Sequence, residues 1–350
     1  MRIRHSRPGL GPEEEQAACR ALGSGFVGRG PECERFEAEL AARLGVSHVR
    51  LTSSGTAALH IALLALGVVP GDEVVFPSYV CAAVLHAVRH CGAFPVPADV
   101  DGETLGLSPE TVRRVWSGRV RAIVAVHPFG RVLDLDPLRE FEVPIVEDAA
   151  TALGGIGPRG PAGGQGTVGV CSFYATKIIT TGHGGCIATS SKELYGQVVD
   201  LLAFDGRDED RLRWNYEMGD VNAAIGRAQL GKLDELLQKR HELAAAYSAR
   251  LAGCGITLPA IPADRSHVVH RYLVRTASRD RLAGWLLEAG IEAKNPVYRP
   301  AHRYMGADDA GFPGTVQADR EVLSLPVHTA LSVWEVEEVA GRVLECMKGA

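Results

Sequence analysis

Three short stretches of this 350-residue chain carry side chains that could do chemistry. Ser53-Ser54-Gly55-Thr56 stands directly before TAALHIALLALG (56–67), an apolar run that reads as a buried helix ending at Gly67. The first N–H groups of a helix have no partner inside it, and its dipole adds positive potential there, so a phosphate could dock on this end. A plain N-cap by Ser54 or Thr56 would use the same residue types. Pro144-Ile145-Val146-Glu147-Asp148 is an apolar strand ending in two acids. One of them could pair with a ring cation, or cap a helix, or make a surface ion pair. Ser172-Phe173-Tyr174-Ala175-Thr176-Lys177 follows a further strand and leads into Thr181-Gly182-His183-Gly184-Gly185. Lys177 there could form a Schiff base with a carbonyl compound, although most lysines are solvated surface charges.

The elements around these stretches must bring them together. From Ser53 to Cys186 short apolar strands (EVVFP, FPVP, RAIVAV, VPIVE, VGVCSFY) alternate with helices: the run from 56, one through Val80 to His90, one from Ser108 and one from Asp134. Alternation of this kind predicts a parallel sheet with helices on both faces, a three-layer α/β/α domain whose ligands gather at the carboxyl ends of the strands. The glycine-rich 154–167 (GGIGPRGPAGGQGT) reads as a mobile surface loop. Beyond Asn222 one long helical run, AAIGRAQLGKLDELLQKRHELAAAYSARLAG, ends in Gly253 and Gly255. RYLVRT, a helix to Glu288 and a last helix from Ser332 then suggest a smaller C-terminal α/β domain. The expected division is 1–235 and 236–350, with the N-terminal segment free to pack on the smaller part.

Composition narrows the function. Hydrophobic residues at 46% and charged residues at 23% are ordinary for a folded globular protein, and a net charge of −5 without a Lys/Arg-rich run argues against nucleic acid as a partner. No apolar run reaches membrane-spanning length and the first residues lack a secretion-signal pattern, so the expected location is the cytoplasm. Eight cysteines with no Cys-x-x-Cys pair suit reduced thiols, and no metal site is expected. Gly23, Gly25 and Gly28 satisfy G-x-G-x-x-G, but a helix, EEEQAACRAL, precedes them where a dinucleotide site needs a strand.

A phosphate-binding helix end, an acid after one strand and a lysine after a later strand match the three ends of pyridoxal 5'-phosphate (PLP). The combination resembles the DegT/DnrJ/StrS family of PLP-dependent sugar aminotransferases, of the aspartate-aminotransferase fold (fold type I). The resemblance runs nearly end to end through GFVGRGPECERFEAELAARLGVSHV, SSGTAAL, GVVPGDEVVFPSYVCAAV, VEDAA, SFYATKIITTGHGG, NYEMGDVNAAIGRAQLGKLDEL, IEAKNPVYRPAHRY and LSLPVHTALS. It implies that Lys177 holds the cofactor as a Schiff base and then shuttles a proton, and that Asp148 keeps the pyridine nitrogen protonated. It implies further that Ser54, Gly55, Thr56 and Ser172 surround the phosphate. Asn215 matches a position reaching the phosphate of a partner subunit, hence a homodimer with shared sites. Tyr298 and His302 match positions at the substrate entrance, though a loop Tyr and His more often serve packing. Three residues depart from the pattern. Cys81 stands where an aromatic ring commonly covers the cofactor, Thr151 where Gln is common, and His183 where Glu is common in Gly-Glu-Gly-Gly. The implied activity moves an amino group from an amino acid, glutamate or glutamine, to a keto-sugar, nucleotide-linked, in amino-sugar or antibiotic biosynthesis. Alternatives are a sugar dehydratase of the same family, in which histidine replaces the lysine, an amino-acid lyase, and a non-catalytic PLP-binding regulator.

Overall fold

The computed structural model describes residues 2–262 and 264–348. Strands are numbered in chain order: β1 His48–Thr52, β2 Glu73–Pro77, β3 Phe94–Ala98, β4 Val120–Val126, β5 Ile145–Asp148, β6 Ile156–Gly157, β7 Gly160–Pro161, β8 Val168–Ser172, β9 Gly185–Thr189, β10 Tyr272–Arg275 and β11 Val322–Leu325. Seven form the central sheet in the order β1-β9-β8-β5-β4-β2-β3. β2, β3, β4, β5 and β8 pair in parallel, while β9 runs antiparallel to both of its neighbours.

Nearly continuous Val, Ile and Ala along these strands means that both faces are covered, as a parallel sheet requires. Val74, Phe76, Val124 and Val146 face a layer containing the helices Gly55–Ala65, Ala83–His90 and Lys192–Leu202. Val75, Ile123, Ala125 and Ile145 point the other way, toward Leu107, Val112 and Leu138. The resulting three layers, with a mostly parallel sheet in the middle, agree with the sequence expectation. The helix Gly55–Ala65 is buried at every position from Ala57 to Leu63, which is why its sequence shows no polar face.

A separate apolar cluster gathers the helices Leu233–Leu251, Arg279–Glu288 and Val333–Lys348 on the antiparallel pair β10–β11. Its centre is Tyr247 stacked on Tyr272 at 4.8 Å, both fully buried, with hydroxyls bonded to the Pro326 carbonyl and to Ser248. Burying one such large side chain contributes about 1.5 to 3 kcal/mol. The N-terminal segment joins this cluster: Ile3 bridges Ile291 in parallel, and the His5 ring bonds Ser324 at 2.9 Å.

Several local expectations need correction. Residues 154–167 are an ordered, partly buried fold rather than a mobile surface loop. β6 and β7 make a two-residue hairpin, Ala162 is fully buried, and the amides of Gly163, Gln165 and Gly166 converge on the Glu147 carboxylate at 2.6 to 2.8 Å. Glycines are needed there for close approach, since a Cβ on Gly164 would collide with the Leu44 carbonyl. The long run after Asn222 is two helices, Asp220–Gly231 and Leu233–Leu251, broken at Lys232. Its first residue, Asp220, has another task, accepting amide hydrogen bonds from Gly30, Glu32 and Cys33 at the start of the helix Pro31–Leu44. The helix expected from Asp134 is only a 3-10 turn, Asp136–Phe141, and the one expected from Val80 begins at Ala83. No helix among the described residues is long and apolar enough to cross a membrane.

Candidate active site

β1, β2, β4, β5 and β8 all end at one edge of the sheet, and β9 begins there. A cavity of about 500 Å³ opens at that edge. Its wall includes Ser54, Gly55, Thr56, Cys81, Asp148, Thr151, Ser172 and Lys177, so eight of the expected site residues come together although they span more than a hundred positions of sequence.

One end of the cavity is a cup of hydrogen-bond donors. The Ser54 hydroxyl accepts from the Ala57 amide at 3.1 Å and fixes the start of the helix. The Gly55 and Thr56 amides, as the first two of that helix, have no acceptor within it, and the Thr56 hydroxyl makes no protein hydrogen bond among the described residues. Ser172, at the end of β8, accepts only a long bond of 3.4 Å from the Tyr174 amide. Two glycines allow this closeness. A Cβ on Gly55 would lie 2.7 Å from that of Ser172, and one on Gly185 2.7 Å from the Gly55 nitrogen.

Asp148 stands across the cavity at the end of β5. One of its oxygens accepts from the Ala150 amide at 2.9 Å, and the other has no protein partner among the described residues. Burial pushes its carboxyl above the usual range, against the opposing effects of the Ala150 amide and the Lys177 charge. A cation placed against the free oxygen would reverse that tendency. Glu147 points to the opposite face and is fully engaged there. The Leu133 amide donates to His127 Nδ1 at 3.1 Å, which places the ring proton on Nε2, and Nε2 donates to Glu147 at 2.8 Å. With three loop amides added, these bonds outweigh burial and hold the Glu147 carboxyl below its usual value.

Lys177 lies in the turn after β8, its amide bonded to the Tyr174 carbonyl, and no carboxylate is within 4.0 Å of its ammonium among the described residues. Burial lowers its pKa; Asp148 opposes the shift and Arg271 adds to it. Such an amine is more readily neutral than a surface lysine and so more nucleophilic. The donor cup, the half-satisfied Asp148 and this lysine fit the phosphate, ring nitrogen and aldehyde of PLP.

The departures from the family pattern take definite places. The Thr151 hydroxyl donates to the His127 carbonyl at 2.7 Å, so it braces the strand end. The Cys81 thiol is exposed to the cavity. His183 sits at the rim, edge-on to Tyr174 at 5.3 Å. His302 needs correction as an entrance residue. It is fully buried, bonded to Ser78 at 2.6 Å and Asp309 at 2.9 Å and stacked on Phe312, so it anchors a loop and does not line the cavity. Tyr298 projects outward at 93% exposure, and Asn215 is exposed and outside this chain's own cavity. The sequence reading missed Tyr79, Phe129, His270 and Arg271, which complete the wall. The available signal was His270-Arg271, a polar pair directly before an apolar strand.

The DegT/DnrJ/EryC1/StrS aminotransferase family model matches residues 8–344. GDP-perosamine synthase of Caulobacter vibrioides is 35% identical over 326 residues, covering 87% of this chain and 87% of that protein. Among solved structures, DesV of S. venezuelae, in complex with a ketimine intermediate, superposes with a TM-score of 0.90 at 35% identity over 96% of this chain and 94% of that one. The PLP form of Spr1654 from Streptococcus pneumoniae gives a TM-score of 0.93 at 26% identity over 99% of each chain.

Proposed function

Because the chain belongs to the DegT/DnrJ/EryC1/StrS aminotransferase family, we propose that it is a PLP-dependent enzyme moving the amino group of glutamate or glutamine to the keto carbon of a nucleotide-linked sugar. The observation that carries this reading is the convergence of the donor cup, Asp148 and Lys177 on one cavity. The relatives add weight on the substrate side, since one is named for the amino-sugar product perosamine.

When bound, PLP supplies an aldehyde for the incoming amine and a ring that withdraws electrons from the substrate carbon. The Gly55 and Thr56 amides, the Thr56 hydroxyl and Ser172 bind the phosphate at the helix end. Asp148 would keep the ring nitrogen protonated through its free carboxylate oxygen, because an anion beside a cationic ring favours the charged form. The Lys177 amine would hold the cofactor's aldehyde end, and its Nζ would carry the proton to and from the reacting carbon. Asn215 serves the site of a second copy of the chain, so the working unit is a homodimer with shared sites, and Tyr298 stands at the substrate entrance.

The test is a half-reaction. Holoenzyme mixed with glutamate or glutamine alone should lose its visible Schiff-base absorbance and release the 2-oxo acid. A panel of keto-sugars should then restore that absorbance. Release of ammonia in place of a stored amino group would identify a lyase and overturn the reading.

A further inference from the structure

The wall of the same cavity contains a cation with no role so far, Arg271. Arg271 is half-buried, and among the described residues no carboxylate lies within 4.0 Å of its guanidinium. Its Nη1 donates to the Ser6 hydroxyl at 2.6 Å and lies 3.3 Å from His5 Nδ1, while Nη2 and Nε have no protein partner among the described residues. Arg240 spends its Nη1 on the carbonyls of Val269, His270 and Val327, and among the described residues no carboxylate pairs with it either. The surrounding imidazoles add no further positive charge: burial keeps His5 neutral, at about 3, and holds His270 and His328 down as well. Burial lowers Arg271 itself to about 10.

The backbone around this residue is strained in the left-handed region. Val269 has φ 50°, Phe129 has φ 55°, and Leu105, on the same cavity wall, has φ 62°. Strain at branched and bulky residues persists only where the surroundings over-determine it, and it collects at ligand sites. Here it fixes the guanidinium's origin, since the Arg271 amide donates to the Phe129 carbonyl at 3.0 Å.

We infer that Arg271 is the carboxylate-binding residue of the amino-donor subsite, its open edge gripping a carboxylate of the amino acid while Lys177 meets the nitrogen. The planar fork of the guanidinium matches a planar carboxylate in two parallel bonds. In an amino acid the carboxylate is one bond from the carbon that carries the amine, so both ends fit a single 500 Å³ cavity with Arg271 and Lys177 in its wall. The phosphates of a nucleotide-sugar are separated from the keto carbon by the sugar ring, and the cofactor's phosphate already has the donor cup. This inference rests on the aminotransferase reading and adds the donor's handle to it.

The experiment compares wild type, Arg271→Met and Arg271→Lys as PLP holoenzymes, with equal visible absorbance confirming that each is folded and loaded. Glutarate, a dicarboxylate with no amine to react, is titrated calorimetrically. Loss of a charge-assisted hydrogen-bonded pair weakens binding by about 10- to 100-fold, so Arg271→Met should bind glutarate that much more weakly and Arg271→Lys by less. The donor half-reaction should show the same rise in half-saturating concentration. An equal rise for glutamate and glutamine places the α-carboxylate on Arg271, and a rise for glutamate alone places the side-chain carboxylate there. GDP is titrated in parallel. Unchanged glutarate affinity, or a loss confined to GDP, overturns the assignment of Arg271. If wild type itself takes an amino group from no amino acid, the aminotransferase reading falls and this inference with it.

Discussion

Glu147 and Asp148 are neighbours on β5, yet their carboxyls lie on opposite faces of the sheet and live under opposite electrostatics. Asp148 shares its face with the helix Gly55–Ala65 and meets the cavity with one oxygen unbonded. Glu147 accepts from His127 and three amides on the other face, and it builds the floor behind the site. The alternation of a strand is enough to turn one acid toward the cavity and make the other a scaffold.

Lys177→Ala should abolish the visible Schiff-base absorbance and nearly all turnover, since no other lysine lines the cavity. The spectrum of the purified variant reconstituted with PLP checks this. An unchanged spectrum would remove Lys177 from its role.

Asp148→Asn should still bind PLP, because the donor cup is untouched, but its rate should fall by about 10² to 10⁴-fold as the ring nitrogen is no longer held protonated. Equilibrium dialysis for the cofactor and single-turnover kinetics separate the two effects. A wild-type rate would mean that another group protonates the ring.

Glu147→Gln should act on stability. It turns one buried acceptor into a donor facing other donors, at about 1 to 3 kcal/mol for each buried group left unpaired. The folded carboxyl lies below its usual value, so its stabilisation is complete above the unfolded value of about 4.3 and is lost as the pH falls through the lower folded one. Thermal unfolding of the apo forms should therefore show a gap between wild type and variant that is widest near neutrality and closes in acid. A constant gap would show that the charge of Glu147 is irrelevant.

Shared sites predict complementation. Lys177→Ala and Asn215→Ala, each impaired alone, are unfolded and refolded together. A heterodimer then has one doubly damaged site and one with an intact lysine and an intact asparagine. Activity above both parents is expected, and verified heterodimers with no gain would confine Asn215 to its own chain.

The sheet and the meeting of Ser54, Asp148 and Lys177 at one cavity were legible in the sequence because each depends on local pattern. β2, β4 and β5 are apolar runs, and Ser54, Asp148 and Lys177 follow strands or open a helix. What the sequence concealed depends on contacts between distant segments. The glycine-rich 154–167 gives no sign that it folds around Glu147, and His302 resembles any loop histidine until Ser78 and Asp309 are seen against it. Arg271 looks like an ordinary strand-edge arginine until its place in the cavity wall, with no carboxylate beside it among the described residues, is seen.

The pairing of Ile3 with Ile291, and of His5 with Ser324, bears on how the protein is made. A ribosome releases residues 3–9 long before residues 291–329, which complete the surface they dock on. Until then Ile3 has no apolar partner, and Ser6 has no guanidinium to hold. The cofactor cup, contained between residues 54 and 185, can close earlier. The wall holding Arg271 is thus finished last, and a nascent chain competent to bind PLP would still lack the grip on its amino donor.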